Sequence, residues 1–249
     1  MKVIVNGLAT EYQDEGHGPV ILMLHGWGNT LHIFDALIPA LVKNRRIVRL
    51  DLPGFGATER PASPWGVEEY ARFVGAFCEK LRLDVDVLIG YSLGGRIVIK
   101  GLSHGILSSH RAVLIAAAGV AERTTVRNQV FSAIAKIGKV LLWPLPKNVY
   151  QSARRLLYVQ TGSDYLTIGS MSETMRKVVQ EDLSSNAAGV SVPTLLVWGE
   201  HDVVTPLSEG RKLNRLIRES QITVIPDTSH FVIIENPSRV AELIHDFIV

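Results

Sequence analysis

The chain alternates between two hydrophobic rhythms. One consists of short apolar runs with few polar interruptions: VILML at 20–24, DVLIG at 86–90, RAVLIAAA at 111–118 and TLLVWGEHD at 194–202. Runs of this length, bounded by turn-forming residues, are what strands covered on both faces require. RRIVRLDLPGFG holds another such strand ending at Asp51, and ITVIPDTSH predicts a last one over 222–230. The other rhythm has a helical period. In GVEEYARFVGAFCEKL (66–81), Val67, Tyr70, Phe73, Val74, Phe77 and Leu81 fall on one side. GGRIVIKGL opens a helix despite its β-branched residues, and SEGRKLNRLIRE is helical between the last two strands. NPSRVAELIHDFIV closes the chain as a helix with Pro237 in its first turn. Near the start, Asn6-Gly7 marks a two-residue hairpin, since both turn positions favour positive φ. Strands alternating with helices predict an α/β fold: a mostly parallel, doubly wound sheet with helices on both faces and an antiparallel edge.

Residues 120–189 break this rhythm. No strand pattern occurs there, whereas VFSAIAKIGKVLLW puts Val130, Ile134, Ile137 and Leu141 on one helical face before Pro144 and Pro146 end the helix. The expected organisation is a core formed by residues 1–119 and 190–249, with a helical lid inserted at 120–189. Nine Lys/Arg against five Asp/Glu give the insertion a net charge of +4 and leave the remainder at −2.

Composition narrows the function classes. The chain has 249 residues and a formal net charge of +2, with no Arg- or Lys-rich run, which argues against a nucleic-acid partner. The longest apolar stretch, AVLIAAAGVA, falls well short of the roughly 20 residues that span a bilayer, so no stable membrane insertion is expected. MKVIVNGLATEYQ lacks the apolar core of a signal peptide, and the single cysteine, Cys78, cannot form a bridge within the chain. Cys78 reads as a small apolar helix residue rather than a catalytic thiol. The expected setting is cytoplasmic, and the oligomeric state is open between monomer and dimer. Paired His/Cys spacing and phosphate-loop patterns are both missing, so neither a metal nor another cofactor is expected.

The candidate chemistry centres on LIGYSLGGRIVI (88–99). Gly90-Tyr91-Ser92-Leu93-Gly94 fits G-x-S-x-G with a strand before it and a helix after it. Such a turn is tight enough to strain the serine backbone, and glycines on either side remove β-carbons that would collide. The helix starting at Leu93 directs backbone N–H groups and its positive dipole end toward the serine oxygen. A serine hydroxyl needs an imidazole to take its proton. Of eight histidines, His230 stands out because it follows a predicted strand, as Ser92 does. His17, His32, His104, His110 and His245 have no comparable placement. The imidazole in turn needs a carboxylate, and Asp202 follows a strand and gives the chain order Ser, Asp, His. Spacing alone leaves Glu200 open as an alternative.

Five landmarks, HGWG (25–28), DLPGFG (51–56), GYSLGG (90–95), WGEHD (198–202) and SHFVIIENP (229–237), together resemble the α/β-hydrolase superfamily, in particular its compact lidded esterase-like members. The resemblance runs over nearly the whole chain. It implies Ser92 as nucleophile, His230 as general base and Asp202 as the orienting acid. It also implies an oxyanion hole formed by the backbone N–H groups of Trp27 and Leu93, with His25 bracing its loop. One departure from the pattern is Ala57-Thr58, where relatives often carry a serine after D-x-P-G-x-G; Thr58 keeps the hydroxyl.

A serine at the elbow speaks against the dehalogenase and epoxide-hydrolase branches, which need aspartate there to form an alkyl ester. The expectation is a carboxylesterase acting on a small-molecule ester of short or medium acyl length, or on a lactone, through an acyl-serine. Trp27, Phe131, Ile134, Leu142, Trp143 and Phe231 are the candidate pocket residues. Three rival readings share the fold: a C–C bond hydrolase of diketone-type substrates, an esterase for acyl-carrier-protein esters, and a slow-turnover ligand-sensing protein.

Overall fold

A computed structural model describes residues 1–120 and 168–249 of the chain. Eight strands form one sheet: β1 (Lys2–Val5), β2 (Leu8–Gly16), β3 (Val20–Leu24), β4 (Arg46–Leu50), β5 (Val85–Tyr91), β6 (Arg111–Ile115), β7 (Thr194–Gly199) and β8 (Ser220–Ile225). Their spatial order is β1-β2-β4-β3-β5-β6-β7-β8. The β1–β2 hairpin turns at Asn6 and Gly7, with φ of 47° and 82°. β2 also runs antiparallel to β4, and every pairing from β4 through β8 is parallel. The antiparallel edge expected from Asn-Gly is therefore present, and the rest of the sheet is parallel.

Side chains alternate between the two faces with the strand period of two. Leu22, Leu24, Leu88, Leu196 and Trp198 pack on one face, where α2 (Val67–Leu81) and α3 (Leu93–Ser103) contribute Tyr70, Phe73, Phe77 and Ile97. Ile21, Met23, Val87, Ile89, Leu195 and Val197 pack on the other face. There they meet Phe34 and Leu37 from a 3-10 turn (Leu31–Leu37), α1 (Ile38–Leu41), and Val240 and Ile244 from the C-terminal helix Pro237–Ile248. With both faces covered, β3 is a continuous apolar run, and all five of its residues are buried.

α2 starts where the Gly66 N–H donates to the Glu69 carboxylate at 2.9 Å, and it ends with Arg82 in the left-handed region at φ 52°. Of the expected insertion, the described part is helical: α4 (Ile168–Gln180) and α5 (Ser184–Ala188). Val130, Phe131, Ile134, Ile137, Leu141, Leu142 and Trp143, on which the lid reading rests, lie outside the described residues. α6 (Leu207–Leu216), α7 (Val232–Glu235) and α8 (Pro237–Ile248) complete the order. Among the described residues no helix is long and apolar enough to cross a membrane.

Candidate active site

Ser92 occupies the single residue between β5 and α3. Its backbone takes φ 50° and ψ −105°, a strained conformation for a residue with a β-carbon and one that costs about 1 to 3 kcal/mol. The surroundings hold it there. The Ser92 N–H donates to the Ile115 carbonyl at the end of β6 (3.0 Å), and its own carbonyl accepts from Ala118 (3.4 Å). The flanking glycines answer to close approach: a β-carbon on Gly90 would lie 2.5 Å from the Gly94 carbonyl, and one on Gly94 would lie 1.9 Å from the Leu24 carbonyl oxygen. Glycine lets α3 rest directly on the end of β3.

That contact also sets the loop after β3. The Gly94 N–H donates to the His25 carbonyl (3.1 Å), so the loop carrying Trp27 lies beside the first turn of α3. Leu93 is the first residue of that helix, and its N–H has no acceptor within the helix by geometry. Trp27 packs edge-on against Phe55 with ring centres 5.0 Å apart. His25 is fully buried; its Nδ1 lies 2.7 Å from the Gly26 carbonyl, and its Nε2 accepts from the Leu52 N–H at 2.9 Å. Burial outweighs the bond to Gly26 and the charge of Asp51 and lowers its pKa to about 4. Asp51 accepts from the Leu31 and Ala57 N–H groups, each at 2.8 Å, and a β-carbon on Gly56 would sit 2.0 Å from its carboxylate. The DLPGFG landmark is thus a turn wrapped around a buried carboxylate.

Beyond β7 and β8 the structure brings two more candidates together. His230 Nδ1 lies 2.9 Å from Asp202 Oδ2, with both residues buried. Asp202 Oδ1 accepts from the Val204 and Thr205 N–H groups, each at 2.8 Å. Tyr91, the residue before Ser92, donates its buried hydroxyl to the His230 carbonyl at 3.2 Å, and the two rings lie 5.4 Å apart. Ser92, Asp202 and His230 therefore share the C-terminal edge of the parallel strands, where open α/β sheets assemble their sites. No hydrogen bond joins the Ser92 hydroxyl to His230. His230 does not directly follow a strand as expected: β8 stops at Ile225, and Pro226 and Asp227 (φ 55°) turn the chain first.

Glu200 is exposed and stands away from this pair. His201 Nε2 is 3.9 Å from both Glu200 and Asp227, and these three exposed groups offer donor atoms within 4.8 Å of one another. Exposed acidic groups of that kind are common on surfaces without an ion. Phe231 packs edge-on against His230 at 5.8 Å. A cavity of about 370 Å³ lined by Arg60, Pro61, Pro64, Met171 and Thr174 contains none of the candidate residues. Phe131, Ile134, Leu142 and Trp143 lie outside the described residues. Two side chains at this edge went unremarked in the sequence: Thr205, which touches both Asp202 and His230, and the Tyr91 hydroxyl. The only signal for Thr205 was its place three residues after Asp202 in HDVVTP.

Fold, turn and edge define an α/β hydrolase architecture, and comparison with known proteins agrees. The model of the alpha/beta hydrolase family matches residues 21–243, and the chain belongs to that family. It is 26% identical over 94% of its length to monoacylglycerol lipase ABHD6 of Bos taurus, covering 76% of that protein. To 2-hydroxy-6-oxo-2,4-heptadienoate hydrolase of Pseudomonas putida strain F1 it is 27% identical, covering 99% of this chain and 95% of the relative. The meta-cleavage product hydrolase of Pseudomonas fluorescens IP01 superposes with a TM-score of 0.77 at 23% identity, covering 99% and 96% of the two chains.

Proposed function

We propose that this α/β hydrolase cleaves carboxylic esters through an acyl-serine intermediate. The observation that carries the reading is the buried Asp202–His230 pair, tied through the Tyr91 hydroxyl to the residue beside the strained Ser92. Ser92 Oγ attacks the substrate carbonyl while its proton passes to His230 Nε2; bonds of this type are commonly long in the free enzyme and tighten with substrate. Negative charge developing on the carbonyl oxygen is met by the Trp27 and Leu93 N–H groups, each contributing about 3 kcal/mol to the transition state. The imidazolium then returns its proton to the departing alkoxide, so the alcohol leaves and the acyl group stays on Ser92. Water, deprotonated by His230, reverses the sequence and frees the acid. Asp202 holds the Nδ1 proton throughout and offsets the imidazolium charge. The similarity to a monoacylglycerol lipase supports an ester as substrate.

A second reading has its own support. The relative matched over 99% of this chain is a 2-hydroxy-6-oxo-2,4-heptadienoate hydrolase, and the same three groups would serve hydrolytic cleavage of a C–C bond next to a carbonyl. Turnover of a p-nitrophenyl ester series graded by acyl length, beside a vinylogous diketone, separates the two. Ester turnover is expected, with a Ser92→Ala variant reduced by about 10⁴-fold or more. Undiminished turnover by that variant would refute Ser92 as nucleophile, and cleavage of the diketone alone would move the assignment to C–C hydrolysis.

A further inference from the structure

One hydroxyl touches three parts of the candidate site. Thr205 Oγ1 lies 2.8 Å from Asp202 Oδ2, 3.1 Å from His230 Nδ1 and 3.1 Å from the Ala116 carbonyl oxygen. Thr205 is buried at 3% exposure, and its own N–H donates to the other oxygen of Asp202. Ala116 follows Ile115, whose carbonyl accepts the Ser92 N–H, and it sits in the left-handed region at φ 44°. The hydroxyl thus spans the gap between the Ser92 turn on one side and the acid–imidazole pair on the other.

A threonine hydroxyl has one proton to give and two lone pairs. Asp202 and the Ala116 carbonyl are acceptors only, so the hydroxyl proton goes to one of them, and the Asp202 contact is the shorter. The lone pairs face His230 Nδ1, which must then carry its proton there. That fixes the tautomer: Nδ1–H points at Asp202 Oδ2 and Thr205 Oγ1, and Nε2 is the basic nitrogen. Asp202 meanwhile has donors at both oxygens, so its carboxylate cannot swing away as the imidazole takes up a proton. We infer that Thr205 is a positioning residue whose hydroxyl locks the Asp202–His230 pair and keeps His230 Nε2 available to Ser92. The inference rests on the roles proposed above for Ser92, Asp202 and His230.

Space-filling alone would also bury a threonine here, so the test separates shape from hydroxyl. Valine keeps the volume and loses the hydroxyl; serine keeps the hydroxyl and loses the methyl. The full chain is reacted with a fluorophosphonate, which reads serine activation whatever the natural substrate. In that reaction Ser92 Oγ bonds to phosphorus, its proton goes to His230, and the P–F bond breaks to release fluoride. Thr205→Val should slow labelling by about tenfold or more, the size of effect expected for a hydrogen bond to a charged group. Thr205→Ser should label within about threefold of wild type, below the effect of losing such a bond. Proton NMR gives a second reading independent of turnover. The far-downfield resonance of an imidazole N–H held by a carboxylate should be present in wild type and Thr205→Ser, and lost or displaced in Thr205→Val.

Labelling of Thr205→Val at the wild-type rate, or equal losses in both variants, would overturn the role given to the hydroxyl. A Ser92→Ala control that still labels at the wild-type rate would instead refute the parent reading of Ser92. The two failures are thereby distinct.

Discussion

At the scale of single residues, His25 shows how a buried imidazole sets a pH limit on the fold. Its Nε2 accepts from the Leu52 N–H, which can only donate, so the folded state requires the neutral ring with the proton on Nδ1, facing the Gly26 carbonyl. Burial lowers its pKa from 6.5 to about 4. Between those values the unfolded chain binds the proton and the folded chain does not, so stability rises with pH across that window. The contribution is complete above about pH 6.5, is lost as pH falls toward 4, and amounts to about 3 kcal/mol. Urea unfolding of wild type and His25→Gln at about pH 7 and about pH 4.5 should show a steeper loss for wild type. Equal losses would mean that another group takes up the proton. The proximity of Asp202 and His230 was legible in the sequence, because both follow apolar runs, and the structure hydrogen-bonds them. Thr205 was not legible. Its three contacts depend on how the loop after β7 folds back onto the end of β6, and spacing along the chain does not encode that.

At the scale of elements, the apolar pattern located every strand of the parallel sheet but overran several ends. RAVLIAAA stays apolar to Ala118, yet β6 stops at Ile115 because Ala116 turns to positive φ. ITVIPDTSH stops at Ile225, where Pro226 removes a ladder donor and Asp227 turns the chain. Hydrophobicity reports burial, and Ala116 and Ala117 stay buried after the β6 ladder finishes, so the pattern cannot mark that boundary. The glycines around Ser92 were legible as glycines, but their partners were not: Gly94 faces the backbone of β3, a strand far earlier in the chain. A β-carbon placed 1.9 Å from the Leu24 carbonyl oxygen must push α3 off β3, since neither partner is a flexible side chain. Gly94→Ala should therefore cost about 3 kcal/mol or more in urea unfolding, at the upper end for an overpacked core. It should also displace the Gly94–His25 hydrogen bond that aligns the Trp27 loop. A variant with wild-type stability would show that the helix slides freely over the strand end.

At the scale of the whole molecule, the described segments on either side of residues 121–167 lie against each other and against the core. Val120 is buried on the near side and Met171 and Val178 on the far side, and the Leu183 N–H donates to the Gly119 carbonyl at 2.8 Å. The end of α4 is fastened from several elements at once. Arg96, buried on α3, donates from Nη1 to the Val178 carbonyl (2.7 Å) and the Glu181 carbonyl (3.0 Å) at the end of α4. Lys100, one turn further along α3, meets the Glu181 carboxylate at 2.9 Å, and the Val67 N–H at the start of α2 reaches the same carboxylate at 3.4 Å. α3 thus begins at the strained serine and carries, one and two turns on, the cations that hold the end of α4. The two cations should differ in weight. Arg96→Met leaves buried carbonyls without a charged donor and should cost about 2 to 3 kcal/mol. The Lys100–Glu181 pair reaches solvent through Glu181, 28% exposed, so Lys100→Met should cost about 1 kcal/mol or less. Urea unfolding of the two variants tests the order. If Lys100→Met proved the more damaging, the end of α4 would be held by its ion pair, and the buried arginine would not be the clasp.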